Sequence, residues 1–194
     1  MPRHDRTPMT TVDDLWYLAD TAEQQAEQTY HHLTDRYDSF REFETTKQVS
    51  RRRFETVARR IKRNGAPYGA HTLISDDSGE LLLVRHEGVG LWVLPGGQAD
   101  DDERFREAAK RELREEAGID AEYDGLGLLG RVFFESDGYS TWGVLPIFEG
   151  RVEAKREPTV KDPDDEISAA EWFDELPEDT RDREQLERWR ERNL

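Results

Sequence analysis

The stretch "GGQADDDERFREAAKRELREEAGID", residues 96–120, decides which kind of protein this chain forms. Two glycines open it, three consecutive aspartates follow, and acidic and basic side chains are then interleaved as far as Gly118. The pattern predicts a helix that starts after Asp100–Asp102, whose carboxylates we expect to cap its free N–H groups, and that ends at Gly118. Its charges serve either to solvate a helix or to hold a ligand.

Three glutamates of this predicted helix share one face. Glu112, Glu115 and Glu116 stand at positions i, i+3 and i+4, so their side chains project from the same side. Carboxylates gathered in this way repel one another, and a hard divalent cation such as Mg²⁺ resolves the conflict because it takes oxygen ligands. The alternative is that Arg111 and Arg114 simply pair with these acids. The residues alone leave both interpretations open.

The spacing of the stretch resembles the signature of the Nudix (MutT-like) hydrolase family. Gly97 is followed after five residues by Glu103, and after seven more by the run "RELREEAGI", which begins at Arg111. Every fixed position of the signature is matched, and "LWVLPGG" just before it is the customary lead-in. The resemblance spans roughly residues 67–194 and leaves the first 65 residues outside it.

The resemblance implies an α/β fold, namely an α/β/α sandwich with a mixed sheet, preceded here by a helical N-terminal extension. It divides the chain into a helical region, residues 1–65, and a Nudix domain, residues 66–194. The implied activity is hydrolysis of a nucleoside diphosphate linked to another moiety, with Mg²⁺ or Mn²⁺ as cofactor. At matching positions, the implied metal ligands are Gly96 (through its carbonyl), Glu112, Glu115 and Glu116. The implied catalytic residues are Glu103, Arg111, Glu112, Glu115 and Glu166, with Glu103 and Arg111 orienting the others.

The general base has more than one candidate. A carboxylate has to accept the proton of the attacking water, and family members use either a glutamate of the signature or one on a later loop. Glu166, in "EISAAEW", resembles the later glutamate in its placement. Asp162, Asp164 and Asp165 crowd the same loop, so a solvated acidic turn is the alternative interpretation.

The substrate is less well defined than the metal site. The proline that marks many ADP-ribose pyrophosphatases is absent, and Phe134 stands in its place. We expect a small-molecule nucleotide, either ADP-ribose-like or a nucleoside triphosphate. Candidate contacts are Arg85 to phosphate and Tyr139 or Trp142 to the base, although each is also typical of surface or core packing. His71 and His86 have no ligand spacing and are predicted to be structural.

Composition limits the other possibilities. The chain lacks cysteine, which excludes disulfides and thiolate metal sites. Its formal net charge of −16 disfavours nonspecific binding to nucleic acid or an anionic membrane. No apolar run approaches the roughly 18 residues of a membrane helix, and the first residues lack an apolar signal core, so we expect a cytoplasmic protein. Abundant acids with scarce lysine resemble halophilic cytosolic proteins; a mesophilic acidic protein is the alternative.

The region before the domain is predicted to be helical over residues 13–63, as a hairpin or one interrupted helix, with "NGAP" at 64–67 as its stop. Between Lys47 and Arg63 it holds eight cations and one acid, Glu55. We expect these cations to pair with acids of this chain or of a second copy in a homodimer, rather than with nucleic acid. Two other functions compete with an enzyme: a non-catalytic nucleotide-sensing regulator and an interaction protein. The intact signature argues against the regulator.

Overall fold

A computed structural model describes residues 12–152 and 154–194. In chain order the elements are α1 (Val12–Arg36), β1 (Arg41–Gln48), α2 (Arg51–Asn64), β2 (Ala70–Ser75), β3 (Leu81–His86), β4 (Leu91–Val93), β5 (Gly96–Gly97), α3 (Phe105–Ala117), β6 (Glu122–Ser136), β7 (Tyr139–Arg151), β8 (Ile167–Phe173) and α4 (Arg183–Asn193). The strands form an 8-stranded sheet in the order β1-β6-β7-β2-β3-β4, with β5 beside β2 and β8 beside β3. The predicted α/β class with a mixed sheet is confirmed.

The sheet is mixed because β2 runs parallel to β7 and antiparallel to β3 and β5. Strand β3 in turn carries β4 and β8, both antiparallel to it. The strands β2, "AHTLIS", and β3, "LLLVRH", are mostly buried, and β3 opens with four consecutive apolar residues. Such runs are typical of strands that are covered on both faces.

Helices α3 and α4 lie on opposite faces of this part of the sheet. Ile74 of β2 belongs to the same buried cluster as Leu113 of α3. Leu73 points to the other face because successive side chains of a strand alternate. Its neighbour in the sheet is Glu149 of β7, against which Trp189 of α4 packs. The layering is therefore helix, sheet, helix, as the resemblance implied.

The chain divides into two compact units. Among the described residues, the first comprises residues 12–34, Glu44–Pro67 and Arg131–Val144; the second comprises Asp35–Phe43, Tyr68–Gly130 and Leu145–Leu194. Each unit contains segments that are distant in the sequence, so the units do not correspond to two consecutive halves of the chain. The proposed domain boundary between residues 65 and 66 stays a prediction.

The prediction of continuous helix, as a hairpin or one interrupted rod, is wrong for residues 41–48. This segment is strand β1, and its side chains alternate in exposure around the buried Phe43. Phe40 and Phe43 match a helical spacing, but the charged and β-branched run "REFETTKQ" is typical of an edge strand. The two-residue strand β5 was also not predicted, since two glycines carry no strand signal.

The ends of the helices partly match expectation. Gly65 and Gly118 adopt left-handed conformations with φ of 87° and 66° and close α2 and α3, as predicted. The predicted aspartate cap of α3 is wrong. The helix begins at Phe105, and Arg104 occupies the cap position without a side-chain hydrogen bond.

Among the described residues no helix has the length and apolar character needed to cross a membrane. The expectation about a signal core concerns the first residues of the chain, and residues 1–11 lie outside those described. The cytoplasmic location and the salt adaptation stay predictions.

Candidate active site

The two glycines before α3 bring the backbone into contact with its glutamates. Strand β5 pairs with β2 so that Gly96 lies opposite His71. The N–H of Gly96 donates a hydrogen bond of 2.8 Å to Oε2 of Glu116. A Cβ added at Gly97 would lie 2.6 Å from Oε1 of Glu112, and one at Gly96 would lie 2.4 Å from the carbonyl oxygen of Ala70. At Gly96 the close atoms belong to the backbone, so no side chain fits there, whereas a side chain at Gly97 would displace the carboxylate of Glu112.

Glu116 is a buried acid. Only 7% of the residue is exposed. Loss of solvation raises its pKa to about 9, and the charges of Glu112, Asp162 and Glu166 add to this, against the opposing effect of the Gly96 N–H. Within the described chain no basic side chain forms an ion pair with Glu116. A buried carboxylate in this state is stabilised by an added cation.

Arg111 organises the carboxylates around Glu116. Its Nε and Nη2 donate to the two oxygens of Glu103 at 3.1 and 3.0 Å. Its Nη1 donates to Glu112 at 2.8 Å and to Glu115 at 3.2 Å, and Nη2 also reaches the carbonyl of Gln98 at 2.9 Å. The bonds to Glu103 raise the pKa of Arg111 above its ordinary value. They correspondingly lower the pKa of Glu103.

The simple pairing of acids with Arg111 and Arg114 therefore holds only in part. Arg114 turns away and pairs with Asp120. Arg111 does pair with Glu112, yet the pKa of Glu112 is raised, because desolvation and the charges of Glu115 and Asp164 outweigh the guanidinium. Glu112 and Glu116 therefore both have raised pKa values, chiefly because burial removes their solvation and secondarily because of neighbouring carboxylates.

The oxygen atoms of the implied ligands suit a hard divalent cation, although they do not converge on one position in this structure. The implied ligands are all oxygens, which Mg²⁺ and Mn²⁺ accept and softer metals do not select. Among the described residues, no three carboxylates or imidazoles converge closely enough to form a ready-made cation site. Part of the reason is that Glu112 and Glu115 both face the same guanidinium nitrogen of Arg111.

The loop between β7 and β8 is tied to the C-terminal end of α3. The N–H of Thr159 donates to the carbonyl of Ala117, and the N–H of Lys161 donates to that of Glu115, both at 2.8 Å. Gly118 permits this approach, since a Cβ there would lie 2.8 Å from the carbonyl oxygen of Thr159. The acids of the loop are thus held next to the glutamates of the helix.

Asp162 and Glu166 have different surroundings in this loop. The carboxylate of Asp162 accepts hydrogen bonds from the N–H groups of Asp164, Glu166 and Ile167 at 3.0, 2.6 and 2.8 Å. It is committed to shaping the loop. The side chain of Glu166 is 63% exposed, and its charge is felt by Glu116. Of these two acids, Glu166 is the one whose carboxylate is exposed.

His86 faces Glu166 across the end of β3. The N–H of Gly88 donates a hydrogen bond of 3.2 Å to Nδ1 of His86. Nε2 lies 3.5 Å from Oε2 of Glu166. Sequence reasoning assigned no site role to His86 or to the bonds of Asp162. The run "DPDDE" is a turn signal that could have indicated the latter.

The predicted substrate contacts lie in different places. Arg85 forms an ion pair with Asp179 and stacks 5.9 Å from the ring of Trp92, so its charge is already matched. Tyr139 and Trp142 belong to the first compact unit. Trp142 is buried, 6.2 Å from the ring of Tyr30, whereas Tyr139 lies against Arg51 and Phe54. Their contact with a nucleotide stays a prediction.

His71 is a neutral histidine that pairs with Gly96 of β5. Its Nδ1 is buried and has no hydrogen-bond partner among the described residues. Burial, reinforced by the charges of Arg181 and His86, lowers the pKa of His71 to about 3. It contributes no charge to the site at physiological pH.

The chain is similar to known proteins of one family. The model of the NUDIX domain matches residues 66–190. A Bacillus subtilis protein named "Putative 8-oxo-dGTP diphosphatase" is 37% identical over 78 residues, which cover 40% of this chain and 52% of that protein. An 8-oxo-dGDP phosphatase of Danio rerio is 32% identical over 128 residues, which cover 62% of this chain and 37% of that protein. The chain thus spans about half, or less, of the length of these curated relatives.

Among solved structures, a MutT NUDIX hydrolase from Burkholderia pseudomallei is similar to this chain, with 29% sequence identity and a TM-score of 0.48. The match covers 65% of this chain and 96% of that one.

Proposed function

Because this chain belongs to the NUDIX domain family, we propose that it is a Mg²⁺-dependent pyrophosphohydrolase. It cleaves the diphosphate bond of a nucleoside diphosphate derivative. The observation that carries this proposal is the buried Glu116, held by the Gly96 N–H and surrounded by further carboxylates, with a pKa raised to about 9. A cluster of this kind destabilises the protein unless a cation completes it, so its presence is best explained by function.

In this proposal Glu112, Glu115, Glu116 and the carbonyl of Gly96 hold the cation. When bound, the cation neutralises the diphosphate and lowers the pKa of a coordinated water. Arg111, gripped by Glu103, fixes the orientation of Glu112 and Glu115. Hydrogen-bond partners of this kind hold metal ligands in the orientation that binding requires.

Glu166 is proposed as the general base. It accepts the proton of the attacking water, whose oxygen forms a bond to phosphorus while the bridging P–O bond breaks. The departing fragment, pyrophosphate or the nucleotide, keeps the electron pair of that bond. The exposed carboxylate of Glu166, with its backbone held by Asp162 and by the N–H of Glu87 at 2.9 Å, suits this role.

For the substrate we favour a nucleoside triphosphate, including an oxidised one. The name of the Bacillus subtilis relative, an 8-oxo-dGTP diphosphatase, supports this choice. The Danio rerio relative is named for the diphosphate of the same oxidised nucleoside, so its name supports the oxidised base rather than the triphosphate. ADP-ribose is the comparison substrate, because the sequence lacks the proline that marks many ADP-ribose pyrophosphatases.

The test is turnover of a nucleotide panel by the full chain in high salt with Mg²⁺. The panel contains 8-oxo-dGTP, dGTP, CTP and ADP-ribose, and chromatography follows monophosphate and pyrophosphate release. We expect turnover of a triphosphate that stops on addition of EDTA. Absence of turnover for every nucleotide, with binding of one retained, would instead support the nucleotide-sensing regulator.

Replacing Asp162 tests how the base is positioned. We expect Asp162→Ala to lower kcat by about 10- to 100-fold with little change in KM, a range typical of residues that orient reacting groups. The reason is that three backbone N–H groups lose their acceptor. Amide hydrogen exchange at Glu166 and Ile167 should speed up at the same time. Asp165→Asn is the matched control, because asparagine tolerates the φ of 56° there; equal loss in both variants would refute the assignment.

A further inference from the structure

Helix α2 carries many exposed cations, which we call its basic face, because its apolar residues are buried. Phe54, Val57, Ala58 and Ile61 lie along one side of the helix and are each 0% exposed. The rest of its surface carries six exposed cations: Arg51, Arg52, Arg53, Arg59, Lys62 and Arg63. The helix cannot turn these cations inward without uncovering its apolar side.

The basic face is not neutralised within its own helix. Glu55 is the sole acid between Lys47 and Arg63, and it is occupied by Arg59 at 2.7 Å. Considering only the part of the chain that the structure describes, Arg52, Arg53 and Lys62 form no ion pair. The expected pairing with acids of the same chain therefore does not account for these three cations.

Helix α1 of the same compact unit presents the complementary surface. Trp16, Asp20, Glu23 and Glu27 follow one another at three- and four-residue steps and form one stripe of the helix. Glu23 and Glu27 are exposed. Trp16 and the adjacent Tyr17 are 63% and 64% exposed. They are two of the four large apolar side chains that the described residues leave exposed.

We propose that the chain forms a two-fold symmetric homodimer in which the α1 stripe of each copy packs on the basic face of α2 of the other. This interface is independent of the proposed activity. A two-fold operation brings each pair of faces together twice and closes the assembly. Trp16 and Tyr17 then lie among arginines, which is the residue combination typical of interface centres and of cation–π contacts.

A second copy fits these helices better than a nucleic acid does. A polyanion would meet Arg52 and Arg53, but it would leave Trp16 and Tyr17 exposed and would be repelled by the acids of α1. The formal net charge of −16 adds a long-range repulsion against any polyanion. The dimer matches opposite charges locally and covers the aromatic side chains as well.

The experiment measures the mass of the full chain by light scattering and ultracentrifugation, at about 0.15 and about 1 M salt because screening affects ion pairs and aromatic contacts differently. Arg52→Glu with Arg53→Glu should weaken dimerisation at least about tenfold. Asp20→Arg with Glu23→Arg should do the same. All four changes in one chain should restore the dimer, because the charges are then exchanged. Glu178→Arg, an exposed reversal elsewhere, is the control.

Three results would overturn the proposal. One is a wild-type chain that stays monomeric. Another is a dimer that survives both double reversals, and a third is failure of the fourfold variant to recover although its circular dichroism is unchanged. Saturable binding of a labelled single-stranded oligonucleotide by a monomer, lost in the Arg52→Glu, Arg53→Glu variant, would assign the basic face to a polyanion and would likewise overturn it. Point variants are preferable to truncation, since residues 44–67 pack in one unit with residues 131–144.

Discussion

Glu116→Gln should abolish most metal-dependent turnover while leaving the metal-free protein at least as stable as the wild type. Outer partners of metal ligands are typically worth 10- to 100-fold, so loss of a direct ligand should cost at least about 100-fold in kcat. Glutamine keeps the shape and can still accept the 2.8 Å bond from the Gly96 N–H. It removes the charge that the cation requires.

The stability of the same variant has a defined pH dependence. Glu116 has a folded pKa of about 9 against an ordinary value of 4.5. Between these values the folded state holds a proton that the unfolded state releases, so the free energy of unfolding of the wild type falls as pH rises through this window. In EDTA the Gln variant should lack this decline, and the two proteins should converge below pH 4.5. Melting curves across this range provide the measurement.

Glu107→Gln is the matched control for both properties. Glu107 lies on the same helix, in its first turn, and is exposed. Neither turnover nor the pH dependence of melting should change in this variant. Near-normal turnover of Glu116→Gln would refute the metal assignment, and a loss of turnover in Glu107→Gln would point to an effect on the helix as a whole.

Arg111→Met should destabilise the metal-free protein and make its stability depend on Mg²⁺. The change removes the shared partner of Glu103, Glu112 and Glu115 and leaves three carboxylates facing one another. Breaking a fully buried pair costs about 3–5 kcal/mol; this side chain is partly exposed, so we expect roughly 2 kcal/mol. That corresponds to a Tm lower by about 4–8 °C for a chain of this size.

Added Mg²⁺ should recover part of this loss, because a cation that binds the folded state stabilises it. Arg111→Lys should fall between wild type and Arg111→Met, since an ammonium group cannot reproduce the planar fork of donors. Arg114→Met is the control on the same helix, because Arg114 pairs only at the surface with Asp120; its stability should stay within about 0.5 kcal/mol of wild type. An equal loss in the Arg114 and Arg111 variants would show that general helix stability, not the carboxylate cluster, is responsible.

Several helix ends and strands could be predicted from the sequence because they depend on local chemistry. Gly65 and Gly118 end their helices as expected, because a left-handed residue is a local requirement that glycine meets best. Strands β2 and β3 were predicted because their residue pattern and the turn-forming "DDSG" between them are also local signals. Strand β1 was not, because its single buried residue, Phe43, fits a helical spacing as well as an alternating one. The neighbouring strand settles which pattern is used.

The sequence by itself determined that Glu112, Glu115 and Glu116 share one helix face and that Gly97 and Glu103 stand at matching distances, since helix geometry and chain spacing are local properties. Only the tertiary structure decided that these glutamates differ. Glu116 is buried against the Gly96 N–H, while Arg111 takes Glu112 and Glu115. It also gives Asp162 and Glu166 different surroundings: the carboxylate of Asp162 accepts hydrogen bonds from backbone N–H groups, whereas that of Glu166 is exposed. Burial and hydrogen-bond partners come from segments distant in the chain, and they decide which acid has a raised pKa and which carboxylate stays exposed.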